Sequence, residues 1–218
     1  MPVAGRASPA PLERGADCRH TAAVTERTYV KLREIYETAV RMGIEADPRG
    51  REGVEKFLQR TRQAYEKLSE QEKDVFDQED LTNPFADTRI YVGEPDDEIA
   101  TILAGVDMNV GEILLADRLR EKGTPVDAAY THHPAGWGLS RLDLVMSVQA
   151  DIWASLGVPI QAAEKLIDER RKEVRHRLMP INATQAIDAA RLLGIPFFSA
   201  HTPTDNLVQA FLTRYFEE

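Results

Sequence analysis

The chain has 218 residues, a formal net charge of −9, and 43% apolar against 29% charged residues, the balance of a globular protein with one large core or a compact domain carrying an appendage. No apolar run reaches the ~20 residues that span a bilayer, and the acidic balance argues against general nucleic-acid binding, which relies on lysine and arginine displacing counterions. Cys18 is the sole cysteine, which excludes an intrachain disulfide and a thiolate zinc cluster and fits a reducing, cytoplasmic setting.

Residues 1–25, with Pro2, Gly5, Pro9, Pro11 and Gly15, lack the apolar stretch of a secretory signal and read as a flexible tail. Residues 26–83 read as a helical extension. Tyr29, Leu32, Ile35, Tyr36, Ala39 and Val40 make one apolar stripe; Val54, Phe57, Leu58, Thr61 and Tyr65 make a second. Gly43, Asp47 and Pro48 interrupt them, which predicts a helical hairpin, followed by a charged helix ending before Pro84. Its expected role is packing or oligomerisation.

Residues 84–218 have the texture of an α/β domain. Ile99 to Asp107 is a strand candidate, Val110 to Lys122 an amphipathic helix closed by Gly123, and Val126 to Thr131 a second strand. A helix crossing between two strands implies that they lie parallel. A helix over Leu139 to Ser155, a short strand near Val158 and helical segments between Gln161 and Arg177 follow. Then come a helix over Thr184 to Leu193, a strand from Ile195 to Ala200 and a last helix starting near Asp205. The alternation predicts a mostly parallel sheet with helices on both faces.

Two polar clusters sit at strand ends in this scheme: Thr131-His132-His133-Pro134 and His201-Thr202-Pro203-Thr204-Asp205. Parallel strands deliver their C-terminal ends to one rim, where ligands gather. Pro134 breaks the strand, so both adjacent imidazoles can turn toward that rim, although neighbouring rings diverge more readily than they converge. Each would then hold a different ion of a metal pair, with Asp205 bridging from the head of the final helix and His201 acting as a further ligand or orienting Asp205. The plainer alternatives are hydrogen-bonded histidines at strand ends and an N-cap role for Asp205. Asp107 ends the first strand and either lines the same crevice or caps the next helix. Trp137, between Gly136 and Gly138, stacks on a substrate ring or simply packs. Glu164, Asp168, Glu169 and Glu173 alternate with arginines on a face read as solvated. No phosphate-binding GxxxxGK[ST], dinucleotide GxGxxG, HExxH or GxSxG motif occurs.

The run from Ile99 to Pro134, with Gly105-Val106-Asp107 and Tyr130-Thr131-His132-His133-Pro134, resembles the first half of the Nif-three-like family. Ser199 to Asn206, with His201-Thr202 and Asp205, is similar to its second signature. The resemblance covers about Thr88 to Glu218. Its members are described as dinuclear metal-centre hexameric proteins and often as type 2 GTP cyclohydrolase I. The resemblance implies a homo-oligomer, hexameric in the family, with two divalent ions (zinc, iron or manganese) per subunit. His132, His133 and Asp205 are ligands by position, and His201 lines the site. It also implies a metal-dependent hydrolase of a nucleotide or phosphoester; the alternative is a non-catalytic metal-binding assembly protein. The family continues past the point corresponding to Glu218 into a second α/β half that supplies a His and a Glu. No His-x-x-x-Glu occurs in these residues, so the chain is expected to be a fragment of a longer protein, or the site to be completed by another chain or to remain incomplete.

Overall fold

The structure is a computed structural model that describes residues 27–217; the predicted tail and Cys18 lie outside the described residues. The architecture is α/β, with a four-stranded mixed sheet. Strand β1 (Val30–Lys31) leads into helix α1 (Leu32–Glu45), and α2 (Gly50–Tyr65) returns beside it as the expected hairpin. The charged segment that follows folds as a short α3 (Glu70–Asp74) and a 3-10 turn at Gln78–Leu81. Helix α3 starts with a reciprocal cap, the Ser69 N–H donating to Glu72 Oε2 at 2.8 Å. Two short strands, β2 (Ile90–Val92) and β3 (Glu98–Ile99), precede β4 (Ile102–Gly105), α4 (Val110–Glu121) and β5 (Ala128–Thr131).

The next segment differs from expectation. Instead of one helix over Leu139 to Ser155 there are three short ones, α5 (Gly136–Ser140), α6 (Leu142–Val145) and α7 (Val148–Ser155). The chain turns at Arg141, whose φ of −110° and ψ of 11° leave the helical range. No strand forms near Val158. Gly157 takes a φ of +93°, the Val158 N–H returns to the Trp153 carbonyl, and Pro159 starts α8 (Ile160–Leu178). Then α9 (Gln185–Leu192), β6 (Phe197–Ser199) and α10 (Thr202–Glu217) complete the domain. The last helix begins three residues before Asp205, which puts that residue in the first turn and not at the N-cap.

The main sheet has the order β2-β6-β5-β4. Strands β4, β5 and β6 are parallel, and only the edge strand β2 runs antiparallel. Alternating residues send side chains to opposite faces. Ala129 and Phe197 therefore meet α4 and α9 on one face, while Ala128 and Phe198 meet Leu32 and Ile35 of α1 on the other. Helix α1 also packs along α10, closely enough that a Cβ on Gly43 would lie 2.7 Å from Pro203 Cβ.

Candidate metal centre

The register of the central strands makes the site. Thr131 of β5 pairs with Ser199 of β6, and Gly105 of β4 with Thr131. The residues that follow each strand, His132-His133, His201 and Asp107, emerge together at the C-terminal rim. Beyond Thr131 the backbone keeps its attachment to the β4 side, with the His132 N–H donating to the Gly105 carbonyl and the His133 N–H to the Val106 carbonyl. The Thr131 hydroxyl donates to the His133 carbonyl at 2.7 Å. These contacts curl the chain, so the strand alternation that would separate the two rings no longer applies.

The rings converge, contrary to the divergence expected of neighbours. Ring centroids are 5.1 Å apart for His132–His133, 4.8 Å for His132–His201 and 5.6 Å for His133–His201. One donor nitrogen from each lies within 4.8 Å of the others. Asp205 joins from α10. Its Oδ1 is 3.5 Å from His132 Nε2 and its Oδ2 3.6 Å from His201 Nε2.

Each imidazole is held by its Nδ1. His201 Nδ1 lies 2.7 Å from Asp87 Oδ2 and His133 Nδ1 2.8 Å from Asp107 Oδ1. An ionised carboxylate only accepts, so both Nδ1 atoms carry the proton. His132 Nδ1 lies 3.1 Å from Thr204 Oγ1, whose single proton is drawn to the Ala200 and His201 carbonyls at 2.8 Å; the hydroxyl therefore accepts from the ring. All three Nε2 lone pairs are thereby left free, the arrangement in which a histidine binds a metal while a neighbouring acceptor fixes its tautomer.

Charge shifts follow the same contacts. Burial and the adjacent His201 hold the His132 pKa below its ordinary value, against the pull of Asp205, and so favour the neutral ligand form. For His201 burial acts downward, yet the Asp87 hydrogen bond and charge, with Asp205, outweigh it and leave the pKa raised.

The donor set fits a divalent transition metal. Two ligands of one ion, each ~2.0–2.2 Å from it, cannot be more than about 4.4 Å apart, and tetrahedral neighbours stand about 3.5 Å apart. The Asp205 to imidazole separations match that spacing and are too long for good hydrogen bonds, whereas the imidazole nitrogens spread over as much as 4.8 Å and would have to draw together to share one ion. The two Asp205 oxygens face different rings, as a shared carboxylate requires.

The residues singled out in the sequence distribute unevenly. His132, His133, His201 and Asp205 come together. Asp107 touches His133 and borders the adjoining cavity, while the cap of α4 falls to Asn109, whose N–H donates to Glu112 Oε2 at 2.8 Å. Trp137 is not brought to the cluster. It lines a separate depression with Tyr91 and Arg191, and the Arg141 guanidinium sits 5.7 Å from its ring centroid. Sequence reasoning missed Asp87 and Thr204. Asp87 is fully buried and also accepts the Thr202 hydroxyl at 2.6 Å; only its place just before a three-residue strand marked it. Thr204 is the position before Asp205 in the same polar cluster.

No protein-family model and no curated protein matches the chain. Among solved structures, a NIF3 superfamily protein from Sphaerobacter thermophilus is similar at 28% identity with a TM-score of 0.48. The alignment covers 54% of this chain and 41% of that one, so the chain spans about two fifths of its length.

Proposed function

We propose that the chain binds one or two divalent transition-metal ions through His132, His133, His201 and Asp205 and uses them to hydrolyse a small molecule. The observation that carries this reading is the convergence of three imidazoles, one nitrogen of each within 4.8 Å of the others and every Nδ1 hydrogen-bonded elsewhere, with the Asp205 carboxylate 3.5 and 3.6 Å from the Nε2 atoms of His132 and His201. Imidazole and carboxylate donors suit zinc, iron or manganese. Such an ion supplies Lewis acidity and lowers the pKa of water it binds. The chain's own residues fix the ligands: Asp87 and Thr204 from the buried side, Asp107 from the open side. No cationic side chain lies among the four ligands, so positive charge there would come from the ion.

Elemental analysis of the purified protein and of Asp205→Ala and His132→Ala tests this directly. The parent retains a stoichiometric transition metal through dialysis, and both variants lose it. Full metal content in Asp205→Ala would sink the assignment. A chelator should abolish whatever hydrolytic turnover a broad substrate screen reveals.

A second reading, a metal-loaded assembly protein without catalysis, is favoured by one feature. Helix α10 exposes Val208, Phe211, Tyr215 and Phe216, each more than half accessible, on the helix that carries Asp205. Native mass tests it: a metal-loaded homo-oligomer that turns over no substrate in the screen supports this reading, and a monomer removes it.

A further inference from the structure

A cavity of about 320 Å³ opens beside the imidazoles, with His133 and His201 among its lining residues, within the size range of small-ligand sites. Its body is apolar, formed by Met108, Ala135, Leu139, Leu142 and Ala186, with Ile181 at the half-open rim. Asn182 and Gln185, both exposed, place carboxamides at the mouth. The Asn182 Oδ1 accepts from the Thr184 N–H and hydroxyl, each at 3.3 Å, so its amide hydrogens remain to donate. Among the described residues no lysine or arginine lines the cavity, and the ionisable wall group apart from the histidines is the Asp107 carboxylate.

Phosphate and carboxylate groups are ordinarily held by arginine, lysine or a helix N-terminus. Two helices do begin at this cavity, α4 at Asn109 and α9 at Gln185. Each already has a carboxylate of the chain in its first turn. Glu112 accepts the Asn109 N–H at 2.8 Å, and Asp188 accepts the Thr184 hydroxyl at 3.0 Å. The dipoles are thereby matched internally. A further anion would meet Asp107 and the field of a chain with net charge −9.

We infer that this cavity is a recognition pocket for an uncharged, partly apolar substituent of the substrate, and that it disfavours phosphorylated or carboxylated ones. The inference rests on the metal reading above and narrows its substrates toward neutral compounds with a hydrogen-bonding edge. Ile181, Leu142 and Asn182 become specificity-determining positions.

The test uses the zinc-loaded protein and three hydroxamates, a group that chelates the ion and sends its substituent outward. Calorimetric titration with acetohydroxamate, benzohydroxamate and 4-phosphonobenzohydroxamate should give about tenfold or tighter binding for the benzo compound over the aceto compound, from the apolar area buried. The phosphono compound should lose that gain. Ile181→Arg, a change at an exposed rim position, should restore binding of the phosphono compound. Benzohydroxamate no tighter than acetohydroxamate, or phosphono binding tighter than benzo in the parent, overturns the pocket while leaving the metal site standing. Failure of Ile181→Arg to strengthen phosphono binding also overturns it. Absence of acetohydroxamate binding overturns the metal reading and the pocket together.

Discussion

Replacing Asp87 by asparagine isolates the part played by the buried acceptor behind the site. Asp87 is wholly inaccessible, and its Oδ2 accepts a hydrogen bond from the His201 Nδ1–H at an N···O distance of 2.7 Å. A hydrogen bond to a charged group contributes ~1.5–3 kcal/mol where a neutral one contributes ~0.5–1.5. The isosteric amide therefore forfeits about 1–2 kcal/mol of imidazole orientation and basicity, which at ~1.4 kcal/mol per decade means about 5–30-fold weaker metal binding, overlapping the lower part of the roughly 10–100-fold span found for such outer partners. Zinc affinity is read by competition with a chromophoric chelator at fixed pH, with the melting profile confirming that the variant is folded. Asp107→Asn is the matched control. It holds His133 with the same geometry, but its side chain is 68% exposed, where solvent screening leaves such pairs little net energy. Its loss should be markedly smaller. In the metal-free protein the His201 pKa should drop in Asp87→Asn, because burial then acts with less opposition. Unchanged affinity in a folded Asp87→Asn protein, or a larger loss in Asp107→Asn, refutes the reasoning.

Three further outcomes are expected. Burial raises the Glu79 pKa against the pull of Arg89, so its contribution to stability is full below the unfolded carboxylate value, about 4.3, and is lost as pH rises through the folded one. Glu79→Gln should thus gain on the parent between acid and neutral pH in urea denaturation, and a gap that narrows as pH rises contradicts this. Gly43→Ala would set a Cβ 2.7 Å from Pro203 Cβ and 2.8 Å from its Cα. The clash should cost ~2–3 kcal/mol against about 1 gained in helix propensity, so the melting temperature and zinc affinity fall together; an unmoved melting temperature would show that α1 and α10 slide freely. Phe197→Ala empties a fully buried position in the larger core and should lose ~3–5 kcal/mol in chemical denaturation; a loss below about 1 would mean that the core collapses into the gap.

The sheet was legible because its strands are bounded by helices of regular period. The run from Ile102 to Thr131 gave both parallel strands and the helix between them. The clustering of His132, His133, His201 and Asp205 was legible for the same reason, since parallel strands share one exit edge. What escaped depended on short or non-local signals. The edge strand Ile90–Val92 has only three residues and is set by pairing with Phe197 and Phe198, so period-two alternation had nothing to act on. The break at Arg141 was hidden because its guanidinium is held by Asp77 and Asp80, more than sixty positions earlier. Val158 has the side chain of a strand former, but Gly157 and Pro159 on either side make it a turn. Asp87 escaped because a lone carboxylate acquires its meaning only from the ring it meets 114 residues later.

The uneven support of the three imidazoles also orders their roles. His132 and His201 are largely enclosed, at 26% and 20% exposure, and each faces one oxygen of Asp205. Asp205 is itself carried by a helix anchored to α1, where the buried Asn206 donates to the Gly43 carbonyl at 3.1 Å. Moving either ring would therefore mean moving packed structure, whereas the Asp205 carboxylate, 57% exposed, is fixed at its backbone and can still turn about its own side chain. His133 is 49% exposed and is steadied by an exposed carboxylate, which lets its ring shift at little cost. It also forms one wall of the cavity. If an ion binds as proposed, His133 would be the ligand best able to adjust to a molecule in the cavity, with His132 and His201 the more firmly held pair.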